Sequence, residues 1–148
     1  MKKQALKVFS MLSLSVMLGA VSVYAGLAVP VKANIPFDFT VANKTLPAGA
    51  YTVAPTSTQG VSLIRCEDCR ASELFLTNSV QARREQGQTK LVFRRYGDRY
   101  FLAQVWTAGD TGGRELGQSR TERELVKSRS NHLAKNAAGP EVVYIVAQ

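Results

Sequence analysis

Residues 90–107 read Lys90-Leu91-Val92-Phe93-Arg94-Arg95-Tyr96-Gly97-Asp98-Arg99-Tyr100-Phe101-Leu102-Ala103-Gln104-Val105-Trp106-Thr107. Two runs rich in aromatic and β-branched residues flank Gly97-Asp98. Glycine takes a positive φ without a Cβ penalty, and placed first in a two-residue loop it suits a type II′ hairpin turn. The turn fixes the register. Tyr96 then faces Arg99, Arg95 faces Tyr100, Phe93 faces Leu102 and Leu91 faces Gln104. Strict alternation puts Leu91, Phe93, Leu102 and Trp106 on one face and Val92, Phe101, Ala103 and Val105 on the other. A strand pair that is apolar on both faces sits centrally, between two layers. Arg95 is placed to lie over the ring of Tyr100.

Working towards the amino terminus, Asn34–Val41 alternates in the same way, with Ile35, Phe37, Phe39 and Val41 on one face and Pro36, Asp38 and Thr40 on the other. Period two with aromatic residues predicts a strand with one buried face. Pro36 donates no hydrogen bond, which suits an edge strand or its start. Leu46-Pro47-Ala48-Gly49 is a turn, and Ala50–Ala54 resumes the strand with Tyr51 and Val53 inward. Val61–Cys66 and Ala71–Thr77 are two further short strands around Glu67-Asp68. Gln81–Gln88 has no apolar stripe and reads as an exposed loop.

Towards the carboxyl terminus, Gly109–Gly113 is a glycine-rich turn. Ser119 with Glu122, and Thr121 with Glu124, both fit a capping box. They predict a charged surface helix within Arg114–Lys127, with a narrow stripe of Leu125 and Val126. Ser128–Gly139 reads as a polar linker. Glu141–Ala147 is a nearly continuous β-branched run, the pattern of a central strand. About seven strands at this spacing predict a mainly β domain, an antiparallel sandwich or a small barrel with one short charged helix.

The first residues have a different character. Lys2, Lys3 and Lys7 precede an uncharged apolar run from Val8 to Val23, and Val23-Tyr24-Ala25 supplies a small-x-small site. This is the pattern of a secretory signal peptide over residues 1–25, with a second candidate cut after Ala33. A membrane-spanning helix needs about 20 apolar residues, and this run is shorter and broken by serines. Removing 25 of the 148 residues leaves 123, and loss of the three lysines lowers the formal charge from +8 to +5. That length makes one domain, residues 26–148, large enough for its own core. Its basic residues are scattered among acidic ones rather than gathered in a block. The charge therefore reads first as solubility. Its sharper reading is attraction to an anionic envelope component. No nucleic-acid partner is expected, and no transmembrane segment once the leader is removed.

Three blocks carry a resemblance. Ile35-Pro36-Phe37-Asp38-Phe39-Thr40-Val41 with Leu46-Pro47-Ala48-Gly49 and Tyr51-Thr52-Val53 is the first. Leu91–Leu102 with Gln104-Val105-Trp106-Thr107 is the second. Gly113-Arg114-Glu115-Leu116 with Ser119-Arg120 and Glu122–Leu125 is the third. Together they resemble a family of short exported bacterial proteins of unknown function, over most of residues 35–126. The resemblance implies export and no activity. The Leu46–Val53 turn is also similar to one in transthyretin-like sandwich domains, which bears on fold alone.

Cys66-Glu67-Asp68-Cys69 is the one motif with reactive potential. A thiol–disulfide redox centre lowers a thiol pKa at a helix amino terminus. This pair instead lies between strands and beside two carboxylates. A structural disulfide across a hairpin suits it better in an oxidising compartment, with free thiols and redox catalysis as alternatives. In a two-residue hairpin, Arg65 faces Arg70, which counts against that turn. Zinc lacks ligands, since the chain holds no other Cys and one His, His132. The carboxylates show no pairing, and no phosphate loop precedes a helix. No catalytic residue, metal or cofactor is expected. The leading reading is a non-enzymatic exported module, structural or interactive, with Arg95, Tyr100, Arg114, Arg120 and Arg123 as candidate contact residues. The alternative is a carbohydrate- or lipid-binding sandwich using Tyr51, Tyr100, Trp106 or Tyr144. A thiol redox protein using Cys66 and Cys69 is the third.

Overall fold

A computed structural model describes residues 29–132 and 139–148; the expected leader, residues 1–25, lies outside the described residues. Within them, β1 (Val31–Ile35), β4 (Gly49–Pro55), β5 (Val61–Cys66) and β6 (Ser72–Leu76) form a four-stranded antiparallel sheet in the order β1-β4-β5-β6. A second sheet runs β11-β8-β9-β10-β7, from β11 (Glu141–Val146) through β8 (Lys90–Tyr96), β9 (Arg99–Trp106) and β10 (Gly112–Glu115) to β7 (Asn78–Gln81). The hairpin of β2 (Phe39–Val41) and β3 (Lys44–Leu46) joins it by a parallel pairing of β2 with β9. The fold is therefore mainly β, and the two sheets stack as a sandwich rather than closing into a barrel.

The core lies between the sheets. Ile35, Tyr51, Val53 and Ile64 come from the first sheet and Leu91, Phe93 and Leu102 from the second, each 2% exposed or less. Burying each such side chain is worth about 1.5–3 kcal/mol. Phe39 meets Tyr51 and Phe93 edge-on, with ring centroids 5.1 and 5.5 Å apart. The expected strand Asn34–Val41 is in fact two. Pro36 has no N–H for a ladder, and Pro36–Asp38 carries the chain from the first sheet to the second. The inward set survives the break: Ile35, Phe39 and Val41 are buried and Phe37 is packed against them. At the opposite side, β6 leads through Thr77 into β7, another crossing between sheets.

The β8–β9 hairpin begins as its turn dictates. Gly97 has φ 70° and Asp98 does not share the positive φ, which fits type II′. Tyr96 pairs with Arg99, Arg95 with Tyr100 and Phe93 with Leu102. The strict alternation then fails. A register shift between Val92 and Phe93 leaves Ala103 extra, so Leu91 pairs with Val105 and Lys90 with Trp106. One inserted residue moves everything beyond it to the other face. Val105 enters the inter-sheet core, and Trp106 leaves it. Trp106 settles over Gly113, where a Cβ would come within 2.5 Å of its ring.

Three further expectations are corrected. Among the described residues β11 is an edge strand, paired with β8 alone along its length, with Val142, Tyr144 and Val146 exposed. Its β-branched run reads as central because Val143 and Ile145 do pack inward. The helix, α1 (Arg120–His132), starts six residues after Arg114, which lies in β10. It continues through Ser128–His132, where a linker was expected; the rest of that linker, 133–138, lies outside the described residues. Finally β3, β7 and β10 are strands not expected from the sequence; β10 takes the end of the expected Gly109–Gly113 turn and the start of the expected helix. They are short and polar or glycine-containing, so they carry no period-two signal.

Candidate interaction surfaces

Glu122 is the most buried charged group among the described residues, 1% exposed. Its position follows from the cap: Glu122 N donates to Ser119 Oγ at 3.1 Å, which starts α1. The carboxylate does not return to the helix end as a capping box would have it. It faces the outer side of β8. Arg94 Nε donates to Oε1 at 2.6 Å and Nη2 to Oε2 at 3.2 Å, a two-point pair, and the Tyr96 hydroxyl donates to Oε1 at 3.0 Å. Arg94 and Tyr96 alternate with the core residues Phe93 and Leu91, so they point away from the inter-sheet core. The pair thus clamps α1 over the outer face of the second sheet. Burial, and then the carboxylate that Tyr96 donates to, push the Tyr96 pKa up; the Arg94 charge opposes this in part.

Cys66 and Cys69 are bridged, with Cα atoms 5.3 Å apart. They do not face each other across a two-residue turn. Cys66 N donates to Ala71 O at 2.9 Å and Arg65 pairs with Ser72, so 67–70 is a four-residue loop with Cys69 inside it. This register removes the Arg65–Arg70 contact. Cys66 is buried in the core and Cys69 is exposed. Glu67 in the loop accepts from the Thr52 hydroxyl at 2.7 Å and sits 3.3 Å from Lys32 Nζ. Those two partners hold its carboxyl below the usual range, the Thr52 bond most of all.

Of the five candidate contact residues, two pairs are brought together. Arg95 lies over the Tyr100 ring, 5.5 Å from its centroid, and also engages Gly97 O and Glu141. Phe37 stacks on Tyr100 at 3.8 Å, so that ring is half-buried rather than offered to a ligand. Arg120 and Arg123 share one end of α1. Arg120 reaches Glu124 at 2.9 Å, both side chains exposed, and Arg123 makes no ion pair among the described residues. Arg114 stands apart, opposite Val105 and Ser79, where burial lowers its pKa. Of the aromatic residues considered for sugar or lipid, Tyr51 and Trp106 are buried, and Tyr144 is 64% exposed. Trp106 Nε1 is used by Gln104 at 3.0 Å. Among the described residues no three His, Cys, Asp or Glu gather as a metal site, and no helix is long and apolar enough to cross a membrane.

Sequence reasoning missed the apolar outer face of the first sheet. Phe75 points inward, opposite Ser62, and Leu74 and Leu76 alternate outward, 58% and 77% exposed. They pair with Leu63 and Val61 on β5, so one outer row is apolar across both strands. A groove of about 440 Å³ runs beside them, walled on its other side by Leu116–Arg120 and Arg123. The signal was present in the spacing of Ser72-Glu73-Leu74-Phe75-Leu76, which is apolar on both faces towards its end.

No family model, curated protein or solved structure matches the chain.

Proposed function

We propose that this chain is an exported interaction module of the cell envelope or the extracellular space, acting through its surfaces rather than through a reaction centre. One observation carries the reading. Large apolar side chains stand more than half exposed in two rows, Leu74 and Leu76 on β6 and Val142, Tyr144 and Val146 on β11. Water-exposed apolar rows of this kind mark interaction surfaces. The arginines of α1 lie beside one of them and favour an anionic partner.

Export rests on the leader pattern, on the block resemblance and on the bridged cysteines, which suit an oxidising compartment. Packing of β1 supports the cut after Ala25. Val31 and Ala33 are core residues, and Lys32 exchanges two 2.8 Å backbone hydrogen bonds with Gln148. Cleavage after Ala33 removes them, whereas cleavage after Ala25 leaves β1 whole.

The test is to express the full chain in a bacterial host, fractionate the cells and determine the mass of the mature protein. The reading expects a periplasmic or secreted product beginning at residue 26, bridged, and retained by anionic envelope fractions at low salt but released as salt screens the charges. An uncleaved cytosolic product with reduced thiols contradicts export. A correctly exported protein with no retention at any salt contradicts the interactive role.

A further inference from the structure

Among the described residues, no strand lies beside the outer edge of β6, which ends the first sheet and pairs with β5 alone. Cys66 N donates to Ala71 O on one side of the hairpin, and Thr77 N donates to Gly60 O further along. In an antiparallel ladder the residues that bond to the neighbour alternate. Residues 71, 73, 75 and 77 therefore bond towards β5, and the N–H and C=O groups of Ser72, Leu74 and Leu76 turn outward. The Ser72 end is closed: Lys44 Nζ donates to Ser72 O at 3.0 Å and lies 3.7 Å from Glu73. A lysine on an edge is a common device against strand pairing. No such guard stands over Leu74 and Leu76. Their backbone groups point off the edge, both residues line the groove, and their side chains are the exposed apolar pair of the outer row.

We propose that this groove binds an extended, acid-bearing peptide segment of a partner protein by strand addition to β6. The backbone of the segment pairs with Leu74 and Leu76. Its alternate side chains pack in the apolar groove, and a carboxylate meets Arg123 at the rim, with Arg120 beside it. Strand addition of this kind takes affinity from main-chain hydrogen bonds and specificity from pockets for alternate side chains. Charge decides the occupant. A second copy brings the same basic rim to the groove, and like charges brought together oppose pairing. An acidic segment supplies a carboxylate to Arg123, which makes no ion pair among the described residues, whereas Arg120 already meets Glu124. The proposal rests on the reading of the chain as an interaction module and names the site and partner class for it.

The probe is a capped, fluorescein-labelled peptide of alternating valine and threonine with a glutamate at each end. Two controls have the same length: one with lysines in place of the glutamates, and one N-methylated at alternate residues so that its backbone cannot pair. Fluorescence anisotropy measures binding to the bridged protein, and amide NMR shifts locate it. The expected result is saturable binding of the acidic peptide, weakened about tenfold or more by either control and by Arg123→Glu. The shifts are expected at Leu74 and Leu76. Arg123 is exposed, and an unchanged melting temperature of Arg123→Glu verifies that variant; Arg123→Gln, with an intermediate loss, separates charge from contact. Absence of binding, equal binding of the N-methylated or lysine peptide, or shifts confined to other strands overturns the proposal. So does sedimentation showing a dimer through β6. Each of those outcomes leaves the fractionation test above untouched, so failure of the site is distinguishable from failure of the functional reading.

Discussion

The two sheets have outer faces of opposite fate. On the second sheet, Tyr96 and Phe101 lie on the outer side, and the chain covers them itself. Tyr96 is 8% exposed and Phe101 2% exposed. Over Tyr96 lies α1, a mostly charged helix held by the partly buried Arg94–Glu122 pair and the Tyr96 hydroxyl, and the Arg99 guanidinium stands 5.6 Å over the Phe101 ring. On the first sheet, Leu63, Leu74, Val61 and Leu76 form an equally apolar outer row, and none of the described elements lies over Leu74 and Leu76. One polar clamp therefore separates a finished face from an open one. Apolar alternation alone does not say whether a chain buries a face itself or keeps it for a partner.

Removing the clamp has the largest expected effect. Glu122→Ala leaves the partly buried Arg94 guanidinium without its carboxylate, a change that costs up to about 3 kcal/mol for a pair with one partner 16% exposed. Urea unfolding of the variant measures it, and a loss below about 1 kcal/mol makes the pair ornamental and α1 independently held. Gly113→Ala comes next. Its Cβ meets the Trp106 ring at 2.5 Å, and overpacking of this kind costs about 1–3 kcal/mol. If the melting temperature is unchanged, the swap of Val105 and Trp106 by the bulge is wrong. Reducing the Cys66–Cys69 bridge removes at most about 2 kcal/mol, because the loop it closes is so short. A fall in the urea midpoint on reduction, with the strand signal in circular dichroism retained, is the expected outcome.

The clamp also has a pH signature. Tyr96 titrates above its ordinary value, through burial and then its bond to Glu122. The folded state holds that proton more tightly than the unfolded chain. Its contribution is intact below about pH 10 and declines as pH rises from there through the folded-state value. Alkaline unfolding therefore loses part of its pH dependence in Tyr96→Phe. The open face behaves in the opposite way. Leu74→Ser and Leu76→Ser change stability by no more than about 0.5 kcal/mol, since both side chains are already in water. A large loss on thermal melting places them under cover after all.

The sequence carries the fold unevenly, and the reasons are local. Gly97-Asp98 names its turn because a positive φ at the first loop position selects glycine, and the first three pairs follow. The bulge at Ala103 has no mark of its own: alanine fits either face, and a single extra residue reverses all that follows. β11 looks central because periodicity reports apolar residues and not what covers them. Ser119 marks the start of α1 through cap chemistry. The role of Glu122 was half visible, as a capping residue, while its partner Arg94 is 28 residues away and no local spacing connects them. Among the candidate contact residues, Arg95 over Tyr100 follows from hairpin register. Arg114 reads as helix because Gly109–Gly113 reads as a turn, whereas Gly112 and Gly113 pair as strand beside Gln81 and Val80.

Amide hydrogen exchange of the free, bridged protein tests the contrast between the two faces most directly. The account predicts protected amides at Glu73 and Phe75, which bond to β5, and fast exchange at Leu74 and Leu76, whose N–H groups point off the edge. Slow exchange at Leu74 and Leu76 in the free protein contradicts it, because the edge of β6 is then already covered.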